Sequence, residues 1–262
     1  MNKAGTVAVL AATVVVIATG ARGDVPAGKQ PGHFQPPPPV QVQCQVNDAS
    51  CYRVAAYILE HITPWITNRV LVGAVGAQNV ANGKLTNLEI DKLDIGWIER
   101  TDKSLIESKM NNDLSAFLKT KKSAGPDIIV EIFAFDQMGL NVGQTDMTQD
   151  YYQGDEAKYW KTFMVGPGAV FVDQVGMDDG RHVSQANLTI TNPETGKAIG
   201  AMTVGIDIDK LAKSSLPNKG WTLVGSGAGR WCPSGAQAPA YRDTGRSYLA
   251  DIRPRCSAPQ PL

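Results

Sequence analysis

The chain has 262 residues, 43% of them hydrophobic and 19% charged, and its 25 basic side chains balance 25 acidic ones. That composition excludes a disordered tail, a collagen and a multi-pass membrane protein, and it allows one large or two small globular domains. A formal charge of zero gives no electrostatic reason to bind a phosphate backbone, so no nucleic acid is expected as a partner.

The first element is a signal peptide over residues 1–23. Lys3 precedes an uncharged, Val- and Ala-rich run from Ala4 to Ala21, and Ala21-Arg22-Gly23 sets small residues three positions and one position before Asp24. Cleavage after Gly23 is the expectation. An uncleaved anchor is the alternative, since about eighteen apolar residues can just span a bilayer. Removing 1–23 takes away Lys3 and Arg22 and no acid, leaving 23 bases and 25 acids, a net charge of −2. Residues 24–43 read as a Pro-rich linker, with PPPP at Pro36–Pro39 and no apolar period.

Helices come next. Val54, Ile58, Ile62, Trp65, Ile66, Val70 and Val75 recur at helical spacing between Tyr52 and Ala81, with Pro64 set to kink or break the run. A second helix starts near Thr86, an N-cap with Glu89 three residues on, and continues through Ile90, Leu93 and Trp97. A third runs from about Lys103 to Lys121. Gly125-Pro126 then ends the helical half.

Strands follow at Ile128–Phe135 and Leu140–Gln144, a hairpin about the turn Gln137–Gly139. A helix fits Gly154–Met164, and three more strands fit Ala169–Gly176, His182–Thr191 and Ala198–Ile208. The fold class is α+β: long N-terminal helices packed on one five-stranded antiparallel sheet. Alternation along the last strand puts Met202, Val204, Ile206 and Ile208 on one face and Ala201, Thr203, Gly205 and Asp207 on the other. The small residues leave room there for a pocket above Gly205 with Asp207 at its rim; close packing of a helix over that glycine is the bland alternative.

The order of these elements, with IFAFDQMGLNVGQTDMTQDYYQGDEAKYWKTF (132–163) and GKAIGAMTVGIDIDKL (196–211), resembles the extracytoplasmic PAS-like sensor family known as Cache or PDC domains. VLVGAVGAQNVANGKLTNLEIDKLDIGW (70–97) is similar to the helical lead-in of the family's single-domain secreted members. The resemblance implies a sensor domain over 44–213, a long N-terminal helix on one face of a PAS-like sheet, and a small-molecule pocket on the other face. The amino-acid-binding branch carries an arginine beside a tryptophan on its pocket helix; here Asp155–Thr162 offers Trp160 and Lys161 and no arginine.

A pocket for a small polar metabolite (an amino acid, a carboxylate or an amine) needs aromatic walls and a few fixed polar groups. Asp146, Asp150, Tyr151 and Tyr152 supply two carboxylates and two aromatic rings just before the predicted helix. Trp160 and Lys161 follow on it, where Lys161 would neutralise a ligand carboxylate and Asp146 or Asp150 would hold an ammonium. In the alternative, the aromatic rings pack on the sheet and the acids cap the helix.

Cys44, Cys51, Cys232 and Cys256 read as two disulfides in an oxidising compartment. Three connectivities are open, and 44–51 with 232–256 closes the shortest loops. The residues 214–262 form a Cys-containing tail with Arg230, Arg242, Arg246, Arg253 and Arg255 against Asp243 and Asp251.

Catalytic signatures are weak. His33, His61 and His182 stand far apart in sequence, Ser184 is two residues from His182 without a nucleophile elbow, and Gly225–Gly229 lacks the lysine of a phosphate loop. The sequence therefore reads as a non-enzymatic, cofactor-free, periplasmic or secreted sensor. A separate membrane receptor or envelope protein is its expected partner, and a homodimer through the long helix is allowed. The competing reading is an exported interaction protein whose PAS-like core docks on an envelope protein and binds no ligand.

Overall fold

The computed structural model describes residues 40–214 and, as backbone strands, 221–224 and 230–233. The expected signal peptide, the linker before residue 40 and the pairing of Cys232 with Cys256 lie outside the described residues. No helix among the described residues is long and apolar enough to cross a membrane.

The helical half is more broken than its apolar period suggests. α1 (Ala49–Tyr57) starts at Asp48, whose carboxylate accepts from the Cys51 N–H at 2.9 Å. It runs into a π-turn, Ile58–Ile62, and a 3₁₀-turn, Thr63–Trp65. Pro64 has no N–H to donate and its ring opposes a continuing helix, which explains the change of winding. α2 (Arg69–Asn82) restarts from the Asn68 cap, and α3 (Asn87–Ile98) opens on the capping box expected at Thr86 and Glu89.

Where one helix is expected from Lys103 to Lys121 there are two, α4 (Lys103–Met110) and α5 (Asp113–Ala124). Asn112 divides them. Its Oδ1 accepts from Ser115 N–H while its Nδ2 donates to the Ser108 and Val142 carbonyls, both at 2.8 Å. Ser115 Oγ in turn accepts from Gln144 N–H at 2.9 Å. The N-terminus of α5 thus closes on backbone groups of a strand as well as on its own.

The sheet has seven strands in mixed orientation, which corrects the expectation of five antiparallel ones. These are β1 (Gln41–Cys44), β2 (Ile129–Asp136), β3 (Asn141–Gln144), β4 (Ala169–Val172), β5 (Gly176–Asp178), β6 (Arg181–Thr191) and β7 (Ala198–Asp207). Their order is β1-β4-β6-β7-β2-β3, with β5 paired to β6. The additions are β1, which runs parallel to β4 with Gln41 opposite Ala169, and β5, split from the end of the strand expected over 169–176. β1 also shortens the linker expected over 24–43, since its residues belong to the sheet. A disulfide between Cys44 and Cys51, Cα atoms 6.0 Å apart, ties β1 to α1.

The helix expected over Gly154–Met164 contracts to α6 (Ala157–Lys161), and α7 (Ile208–Lys213) follows β7 directly. A separate hairpin, β8 (Trp221–Val224) and β9 (Arg230–Pro233), pairs Trp221 opposite Pro233.

The two faces of the large sheet differ in chemistry. Ile132, Leu188, Met202, Val204 and Ile206 belong to the main core, which they share with Val54, Ile58, Leu71, Val75, Leu114 and Leu118 of the helices. Burying a large aliphatic side chain contributes about 1.5–3 kcal/mol, so this layer holds the helices to the sheet. The alternate positions carry Glu131, Phe133, Gln185, Asn187, Thr203 and Gly205. On this face Phe133, Phe135 and Ala201 form a small second core, with Asn187 and Thr203 also buried, and Glu131, Phe133 and Gln185 line the candidate site.

Candidate ligand-binding site

Glu131 on β2, Gly205 on β7 and Gln185 on β6 lie opposite one another across three strands. The Glu131 side chain lies over Gly205, where an added Cβ would stand 2.8 Å from Glu131 Cγ. The missing side chain lets Gln185 Nε2 reach across β7 and donate to Glu131 Oε1 at 2.9 Å. The room expected above Gly205 is therefore taken by Glu131, and the ligand space begins beyond it.

That space is a cavity of about 540 Å³. Glu131, Phe133, Val183 and Gln185 contribute from the strands, residues 146–150 form one wall, and Asp173–Asp178 contributes to the other. Asp173 is fixed to β6, because its N–H donates to the Gln185 carbonyl at 2.8 Å and its own carbonyl accepts from Ser184 Oγ at 2.7 Å.

Lys158 enters the cavity from α6 and is almost wholly buried. Its Nζ pairs with Glu156 Oε2 at 2.9 Å, donates to Gln153 Oε1 at 3.0 Å and stands 5.3 Å from the centre of the Phe133 ring. Gln153 donates in turn to Asp150 Oδ1. Burial pushes the carboxyls of Glu131, Asp150 and Asp173 above the ordinary carboxylate range. The neighbouring Glu156 raises Asp150 further, while Gln185 pulls Glu131 partly back.

Of the residues the sequence singles out, Asp146 and Asp150 line this cavity. Asp146 also pairs with Lys122 at 2.6 Å. Tyr151 lies outside the cavity, buried and stacked on Trp97 with ring centres 5.5 Å apart, and burial pushes its phenol pKa up. Tyr152 bridges Leu140 and fills the space beside Gly154. Trp160 is 53% exposed and meets Tyr159 edge-on; two residues beyond Lys158, it lies about 200° further round the helix. Lys161 is exposed at the C-terminal end of α6. Asp207 caps α7 by accepting from Lys210 N–H at 2.9 Å, the role expected of a residue opening a helix.

Glu131, Gln153, Lys158, Asp173 and Gln185 escaped the sequence reading. Two signals point to them. Glu131 is the one charge within IIVEIFAF, and Gln185, Asn187 and Thr189 alternate with Ala186, Leu188 and Ile190 along β6. Both patterns mark a polar sheet face.

The wall at 146–152 is held from behind by α3. Asp94 Oδ1 accepts from the N–H groups of Tyr151 at 2.7 Å and Tyr152 at 3.0 Å. Trp97 Nε1 and Arg100 Nη2 both donate to the Thr148 carbonyl, at 3.0 and 3.2 Å.

No family model matches the sequence, and no curated protein matches it. Solved structures similar to it include two sensor domains and an extracellular ligand binding receptor. The sensor domain of the V. cholerae histidine kinase DctB is 7% identical over 66% of this chain and 62% of its own, with a TM-score of 0.28. The sensory domain of the Campylobacter jejuni chemoreceptor Tlp3 is 15% identical over 61% and 65%, with a TM-score of 0.31. An extracellular ligand binding receptor from Desulfohalobium retbaense is 13% identical over 55% of this chain, with a TM-score of 0.29. The chain spans a quarter of that receptor's length and just under two thirds of the other two.

Proposed function

We propose that this chain is an exported, non-enzymatic sensor module that binds a small polar metabolite in the cavity over Glu131 and passes its occupancy to a separate partner. The observation that carries the reading is the cavity itself. It lies on the sheet face away from the main core, and its volume and convergent polar side chains suit a metabolite-sized ligand.

Three further features support it. The Cys44–Cys51 disulfide suits an oxidising, extracytoplasmic compartment. Ser184 and His182 are committed elsewhere: Ser184 donates to the Asp173 carbonyl, and His182 pairs with Asp209 at 2.9 Å on the exposed surface. The hydrogen bonds that Asp94 of α3 accepts and that Trp97 of α3 and Arg100 just after it donate give the ligand wall a direct mechanical link to that helix.

The test is a thermal-shift screen of the full chain against amino acids, organic acids and amines, since a ligand that binds only the folded state raises the melting temperature. The screen is repeated on Gly176→Phe, which adds a ring at a position of the lining where an added Cβ meets nothing within 4 Å. A saturable shift that Gly176→Phe abolishes supports the reading. No shift across the panel overturns it.

A further inference from the structure

The cavity's charge balance identifies the chemical class of its ligand, an inference that rests on the sensor reading above. Six carboxylates line it, those of Glu131, Asp146, Asp150, Glu156, Asp173 and Asp178, against two cations, Lys158 and Arg181. Lys158 is committed, whereas Arg181 Nε is buried without a hydrogen-bond partner among the described residues. Lys158 is held by Glu156, Gln153 and the Phe133 ring, and Arg181 Nη2 stands 3.8 Å from Asp179 outside the cavity. Among the acids, Asp146 is paired with Lys122 and Glu156 with Lys158.

Glu131, Asp150 and Asp173 remain half-buried in one cavity without an ion-pair partner among the described residues. Gln185 engages one oxygen of Glu131, fixing its orientation, and no described side chain engages the other. Lys158 is the one counter-charge that Glu131, Asp150 and Asp173 share, and it is already paired with Glu156, so an incoming cation lowers the remaining cost of withdrawing these acids from water. Among the described residues, no three His, Cys, Asp or Glu side chains converge to hold a metal ion. An ammonium group needs only hydrogen-bond acceptors, which Glu131 and its neighbours supply.

We propose that the cavity binds a small organic cation, an aliphatic amine or diamine, whose ammonium group is held by Glu131, with Asp150 and Asp173 adding negative charge to the same lining. A ligand carboxylate would have to displace Glu156 and Gln153 from Lys158, which leaves Arg181 as the one cation of the lining with a free donor. With six acids in the lining against two bases, an amine is preferred over a dicarboxylate.

The experiment is isothermal titration of the full chain with 1,4-diaminobutane, n-butylamine, succinate and L-isoleucine, at low and physiological ionic strength. Saturable binding of one of the amines is expected, with Glu131→Gln and Asp150→Asn each raising Kd at least tenfold while the melting temperature stays within a few degrees. Asp155→Asn, an exposed acid outside the cavity lining, is expected to leave Kd unchanged. Binding of succinate or isoleucine but neither amine would overturn the cation assignment and leave the sensor reading standing. Amine binding weakened equally by Asp155→Asn would also overturn it, as general charge attraction. Silence from all four probes would overturn the assignment, and the broader screen above then decides the sensor reading separately.

Discussion

Gln185 and Glu131, on strands that are not neighbours, are joined by a 2.9 Å hydrogen bond that passes over Gly205. The bond depends on the absence of a side chain in the strand between them. Gly205→Ala is expected to displace Glu131, break the bond and lower stability by about 1–2 kcal/mol, the cost typical of overpacking. Urea denaturation measures it, and an unchanged midpoint would show that Glu131 has another resting place.

The buried Asp136 carboxylate is the second test. Its Oδ2 accepts from Gln78 Nε2 at 3.0 Å and Asn82 Nδ2 at 2.7 Å, and its Oδ1 accepts from the Met138 and Leu140 N–H groups. It thus joins α2 to the β2–β3 turn, where Gly139 takes a φ of +81°. Asp136→Ala removes the acceptor of four donors, of which Gln78 Nε2 alone keeps others, the Leu140 and Asn141 carbonyls, and is expected to cost about 3–5 kcal/mol. The measured difference in unfolding free energy checks this.

Asp94→Ala tests the link from α3 to the cavity wall. It removes the acceptor of the Tyr151 and Tyr152 amides, so those two are expected to exchange with deuterium at least tenfold faster while amides in β6 and β7 keep their protection. Equal rates would mean that Trp97 and Arg100 hold the wall unaided.

Stability depends on pH through the cavity acids. Glu131, Asp150 and Asp173 have folded pKa values raised above their unfolded ones, so between the two the folded state binds more protons. Stability therefore falls as pH rises from the ordinary carboxylate values of 3.8–4.5 through the raised ones, and the penalty is complete above them. Melting temperature against pH is expected to decline over that window, and Glu131→Gln is expected to flatten the decline.

The Cys44–Cys51 bridge closes a short loop, with a sequence separation of 7. The double variant Cys44→Ser/Cys51→Ser is expected to lose about 2–3 kcal/mol on the chain-entropy account of a loop this size. Comparing melting curves of the variant and the oxidised protein tests it.

How much of this was legible varies with the physics of each part. Thr86 and Glu89 announce α3 because a capping box is local, and Met202-Thr203-Val204-Gly205 assigns its faces because strand alternation is strict. β1 stayed hidden: four residues paired parallel at a sheet edge, half of them exposed, need no apolar pattern. The break at Asn112 stayed hidden because the apolar period continues through it, and the deciding bond, to the Val142 carbonyl, spans 30 positions. At the site, the sequence points to Asp146 and Asp150, which line the cavity, and to Lys161 where the structure has Lys158. Which of two lysines on one short helix faces inward depends on Gln153, Glu156 and Phe133, a tertiary arrangement that spacing does not encode.

The two side chains that start α5 have an effect beyond the helix they cap. By occupying the Val142 carbonyl and the Gln144 N–H, Asn112 and Ser115 cover backbone groups that the last strand of the sheet would otherwise offer to another chain. An uncovered edge is a template for strand addition and amyloid-like growth. Asn112 and Ser115 therefore act as a guard against self-association, and because Ser115 is itself fully buried, replacing them weakens the fold and opens that edge together.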